Sequence, residues 1–271
     1  MRRAAALAVA VCALAGCGGG RSADEVLREA AAKVGDIRSA DLRLHTTLSA
    51  RDGESGRVGF ELRGPVELGG DLPEARLRYT QLAGDQEAVA TFISTGREAF
   101  VDLQGTAYRL DGERTAALRE SARGVQRGAR LPVGRWFREA EVADGPRRDG
   151  EDTDRVTADL DAVAALRDIF GAAEQAGAQV PDLGGTRADD LRDAVERASA
   201  VLVAGREDAL LRELRVRIDF RLDPPAALRE RLRKLSGGRF EFVLELSRVN
   251  QPVRVAAPAD PQPASALPAG Q

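Results

Sequence analysis

Histidine, cysteine, lysine and aromatic residues are all scarce in this chain of 271 residues. A single histidine, His45, and two cysteines, Cys12 and Cys17, cannot assemble a His/Cys zinc site or a C-x-x-C redox pair. G-x-S-x-G and S-x-x-K are both absent, so the familiar serine-hydrolase signatures are missing, and His45 falls on the charged side of its expected strand. Asp149, Glu151, Asp152 and Asp154 crowd one Gly-containing stretch, but not at the D-x-[DN]-x-[DN]-G spacing of a calcium loop, and they read as a solvated loop. Gly-rich phosphate loops are missing too, and no cofactor is implied. Lys33 and Lys234 are the only lysines, and the 40 Lys+Arg fall short of the 43 Asp+Glu, for a net charge of −3. No basic field for nucleic acid exists. The remaining composition, 43% hydrophobic and 31% charged, is that of a globular protein with a sizeable core, and its length allows one β-rich domain.

Arg2 and Arg3 precede an apolar stretch over residues 4–15, the order of a secretory signal and too short to cross a bilayer, which takes roughly 20 apolar residues. Leu14-Ala15-Gly16-Cys17 resembles the lipobox of bacterial lipoproteins. Residues 1–16 are then a signal peptide, Cys17 is the lipidated mature N-terminus, and residues 17–22 form the anchor and tether. The competing reading is a chance cysteine near an ordinary cleavage site. The flexible Gly18-Gly19-Gly20 and the lack of any further cysteine in the mature chain favour lipidation.

Ser22-Ala23-Asp24-Glu25 has capping-box spacing, and Val26, Leu27, Ala30, Ala31 and Val34 recur at helical spacing, predicting a first helix up to Gly35. Period-two patterns follow: Leu42, Leu44, Thr46, Leu48; Val58, Phe60, Leu62; Leu77, Tyr79; Leu214, Val216, Ile218, Phe220, Leu222; and Phe240, Phe242, Leu244, Leu246. Strict alternation with charged residues means antiparallel sheets with one wet face, and makes a doubly wound fold improbable. Shorter strands at 89–94, 99–103 and 107–110 are separated by Thr95-Gly96 and Gln104-Gly105, a meander. Helical spacing returns at 162–175, at 188–203 after Thr186, at 224–235, and more weakly at 113–124. The Pro/Ala-rich residues 259–271 read as a disordered tail.

These elements resemble a known family. Leu27-Arg28-Glu29-Ala30, Ser39-Ala40-Asp41-Leu42-Arg43-Leu44 and the closing stretch from Asn250 to Pro258 are similar to the LppX/LprG group of actinobacterial lipoproteins. Ala107-Tyr108-Arg109-Leu110, Gly134-Arg135-Trp136-Phe137 and Thr157-Ala158-Asp159-Leu160-Asp161 fit the same pattern, over residues 23–258. The resemblance implies an α+β fold related to the carrier LolA: a curved antiparallel half-barrel sheet with helices covering the concave face.

The same resemblance turns residues that periodicity makes simply core into lining of an apolar cavity. They are Leu44, Leu48, Phe60, Leu62, Leu77, Tyr79, Phe92, Val216, Ile218, Phe220, Phe242 and Leu244. The implied function is a non-enzymatic lipoprotein on the extracytoplasmic side of the cell membrane. It would bind the acyl chains of a lipid or glycolipid, carry or present it in the envelope, and meet an envelope transporter or regulator. Val216→Trp would then exclude ligand without loss of stability. The alternative is a filled-core regulatory or structural module that binds another envelope protein.

Overall fold

The computed structural model describes residues 21–51, 57–128, 133–175, 192–221 and 237–267. Cys17, the leader and the helix expected at 224–235 lie outside them. Helix α1 (Ala23–Lys33) starts as its sequence dictates: the Ser22 hydroxyl accepts the backbone N–H of Glu25 at 3.3 Å, Asp24 and Glu25 stand in the first turn and Lys33 in the last. Ala23, Val26, Leu27 and Ala30 form its buried face.

Among the described residues, twelve strands make one open sheet. The first six, β1 (Ser39–Ala50), β2 (Arg57–Glu67), β3 (Glu74–Ala83), β4 (Gln86–Thr95), β5 (Ala99–Leu103) and β6 (Thr106–Arg109), follow one another as an antiparallel meander. Helix α2 (Gly112–Gly128) and a 3-10 turn (Val133–Arg135) then lead to β7 (Phe137–Asp144) at the opposite edge. A second meander returns through β8 (Thr153–Leu160), β9 (Val195–Gly205), β10 (Leu211–Arg221) and β11 (Gly237–Ser247), with α3 (Ala162–Gln175) between β8 and β9. Pairing of β11 with β1 joins the two meanders. The hairpin between β5 and β6 turns on Gln104 and Gly105, both at positive φ, as a two-residue turn of that hand requires.

Helix α3 has the span that periodicity assigned. Asp161 caps it, its Oδ1 accepting the N–H of Ala164 at 3.1 Å, and Phe170 meets Phe240 of β11 edge-on with ring centroids 6.2 Å apart. Arg217 with Glu241, and Arg43 and Arg215 with Glu245, form cross-strand pairs on the wet face.

Three elements differ from the sequence reading. Residues 195–203, expected as part of a helix, belong to strand β9. Alanine and leucine favour helix in isolation, but Ala198, Ala200 and Leu202 also alternate with Ser199 and Val201, and pairing with β8 and β10 on both sides decides between the periods. Strand β7 carries no clean alternation, because Glu139, at φ 49°, sits at a register shift that breaks it. In the stretch assigned to a disordered tail, Gln262 and Pro263 form β12, parallel to Tyr108 and Arg109 of β6.

Candidate functional site

Directly opposed residues in a sheet share a face, so the register shows how the candidate residues lie together. Leu44 of β1 stands opposite Leu62 and Leu244, Leu62 opposite Tyr79, and Leu77 opposite Phe92. On the other side, Phe242 faces Val216, Phe240 faces Ile218 and Leu48, and Gly238 faces Phe220 and Ala50. All twelve candidates therefore occupy one continuous apolar face spanning β10, β11 and β1 to β4.

That face is not covered evenly. Over β8 to β11 it is packed under α1, α3 and Trp136, in a cluster that includes Val26, Leu27, Val156, Ile169, Ala200 and Leu202. Val216 is 0% exposed and Ile218 1%, and Phe242 is buried beside them. These three sit in solid core. Leu44 and Leu244 are half-buried against its border. Phe60, Leu62, Leu77, Phe92 and Phe220 are half-buried outside the cluster. Over β1 to β3 the cover thins further: Leu48 is 39% exposed, Tyr79 36%, and Val58, which the site assignment omitted, 55%. Phe60 stacks on Tyr79 at 5.9 Å between centroids.

On the opposite, polar face, the same ends of β1, β11, β10 and β9 form a cleft of about 440 Å³. Ser49, Arg239, Asp219 and Arg197 cross it as a row of opposed residues. Arg51 and Arg221 both engage Glu196, and Arg239 donates to Asp219 at 2.7 Å. Hydrogen bonding to Glu196 raises the pKa of Arg51, and bonding to Asp219 that of Arg239.

The other end of β8 and β9 holds an ionic network that sequence spacing could not reveal. The Arg21 guanidinium donates through Nε to Asp154 Oδ2 at 3.0 Å, through Nη1 to Glu29 at 2.7 Å and through Nη2 to the Gly205 carbonyl at 3.3 Å. Arg206 reaches the other oxygen of Asp154 at 2.9 Å and also pairs with Asp144. Buried Arg212 binds Glu151 and Asp208, both at 2.7 Å. Burial lowers the pKa of Arg21 and Arg212, but their carboxylate partners outweigh it and leave both raised. The acids read as a solvated loop are thus largely paired. Among the described residues no group of His, Cys, Asp and Glu could hold a metal, and no helix is long and apolar enough to cross a membrane.

No family model and no curated protein matches the chain. Solved structures do match. LprF from Mycobacterium bovis is 14% identical and superposes over 89% of this chain and 100% of its own, with a TM-score of 0.45. The lipoprotein LppX from Mycobacterium tuberculosis is also 14% identical, over 86% of this chain and 97% of its own, with a TM-score of 0.41. LppX shares its name with the group the sequence resembles.

Proposed function

We propose that this protein is a membrane-anchored lipoprotein that takes acyl chains of a lipid or glycolipid onto its apolar face and carries or presents them in the cell envelope, without catalysing a reaction. One observation carries the reading: the apolar face continues from the packed half over β8 to β11 into β1 to β4, where Leu48, Val58 and Tyr79 remain exposed. Burial of a methylene contributes about 0.8 kcal/mol. Ten fully buried methylenes would contribute ~8 kcal/mol, from which the cost of ordering the chain is subtracted. The chains would occupy the β1 to β4 half, with the headgroup toward solvent.

A second reading draws on a different observation. Val216, Ile218 and Trp136 are fully buried, so half of the face already serves as ordinary core, as in a module that binds another envelope protein. Mass spectrometry of organic extracts from a soluble form beginning at residue 18 separates the two. Recovered lipid that falls in Leu62→Trp supports the carrier. Extracts without lipid favour the protein-binding module.

A further inference from the structure

The Arg21 clamp lies at the end of the described chain nearest the proposed anchor, and its geometry carries a consequence for orientation. Cys17 and Arg21 are four residues apart, which allows at most about 14 Å even at full extension. Arg21 is held on three partners from different parts of the fold: Asp154 at the start of β8, Gly205 at the end of β9, and Glu29 of α1. The opposite end of β9 is far beyond that reach. Arg197, eight residues from Gly205 along the strand, lies roughly 26 Å away at ~3.3 Å per residue.

We propose that the clamp of Arg21 on Asp154 holds the corner formed by Asp154, Gly205 and Arg206 against the surface of the anchoring membrane, with the Arg197 end of β9 and β10 pointing away from it. The proposal rests on lipidation of Cys17. Arginines bind the corner together: Asp154 lies between Arg21 and Arg206, Glu151 is held by Arg212, and Glu213 by Arg148 at 2.6 Å. The two buried acids, Asp154 and Glu213, therefore carry arginine partners, while Asp144, Glu151 and Glu207 stay in solvent. Arg21 is a positioning residue. It sets which end of the sheet the membrane meets, and the cleft lined by Arg51, Arg197 and Arg239 is left facing outward.

The test uses the full-length processed protein on vesicles of phosphatidylcholine with a minority of phosphatidylglycerol. With Cys17 acylated, the mature chain has no free thiol, so Glu207→Cys in the exposed turn after β9, or Arg197→Cys at the far end, accepts a single fluorophore. A quencher in the lipid headgroup region reads proximity. Floating protein should show the Glu207 label quenched several-fold more strongly than the Arg197 label. Arg21→Gln should lower the ratio measurably, with flotation retained. Eight Gly/Ser residues inserted before Arg21 should do the same with the clamp intact, because about twelve residues reach ~40 Å at full extension. Equal quenching of the two labels on floating wild type overturns the proposal, and so does a ratio that survives Arg21→Gln. Protein that fails to float overturns the lipid anchor itself, and the clamp's orienting role with it.

Discussion

The indole Nε1 of Trp136 donates a hydrogen bond of 2.6 Å to Oδ2 of Asp168, tying the fully buried ring before β7 to helix α3. Arg135 holds the same carboxylate from the exposed side, Nε to Oδ2 at 3.0 Å. Trp136 does more than fill core: it closes one edge of the packed half of the apolar face. Trp136→Phe keeps most of the ring but removes the donor. A hydrogen bond to a charged group contributes roughly 1.5–3 kcal/mol, so urea denaturation followed by circular dichroism should show a loss of about 2 kcal/mol. A loss under ~0.5 kcal/mol would mean the bond contributes little beyond packing.

Asp161 links helix α3 to pH. Its carboxylate accepts the Ala164 N–H at 3.1 Å and pairs with Arg138 at 2.6 Å. The backbone bond first, and then Arg138, outweigh burial and hold its pKa below the ordinary carboxylate range. A depressed folded pKa contributes stability above the unfolded value of ~3.9 and loses it as pH falls through the folded value. Asp161→Ala should therefore cost about 1 kcal/mol at neutral pH. That difference from wild type should narrow as pH drops below about 4, as thermal melts across the acid range would show.

Val216 and Leu48 share a face but not an environment. Val216, 0% exposed, stands opposite Ala200 and Phe242 in packed core. The expectation that Val216→Trp is harmless therefore reverses: overpacking costs typically 1–3 kcal/mol, and a clear fall in melting temperature should follow. Leu48→Ser, at a site 39% exposed, should change stability by less than about 0.5 kcal/mol while lowering the lipid recovered. A stable Val216→Trp variant would show that the β10 region yields to bulk as a cavity does.

Cys17→Ser should leave an unprocessed or freely soluble chain. Detergent-phase partitioning measures this, and a serine variant that partitions like wild type would show that something other than Cys17 holds the membrane.

Much of the fold was legible in the sequence because its signals are local. Ser22 and Glu25 announce α1, the 3.6-residue spacing of Val163, Leu166, Ile169 and Phe170 outlines α3, and the alternation of β1, β2, β10 and β11 places nine of the twelve candidate residues on one face, to which β3 and β4 add Leu77, Tyr79 and Phe92. Side-chain direction in a strand follows from parity alone. What covers that face does not. Val216 and Leu62 obey the same parity, yet one is sealed beneath α1 and α3 while the other remains half-buried, because the packing of separate helices is set by contacts far apart in sequence. Pairing on both sides turned Ala198 to Leu202 into a strand against their helical propensity. The partnership of Arg21 with Asp154, across 133 residues, exists only once β8 and α1 have packed. Composition and periodicity determined that there would be an amphipathic sheet behind a candidate anchor. Tertiary packing alone decided which half of its apolar face is sealed under α1 and α3 and which end of the sheet Arg21 clamps.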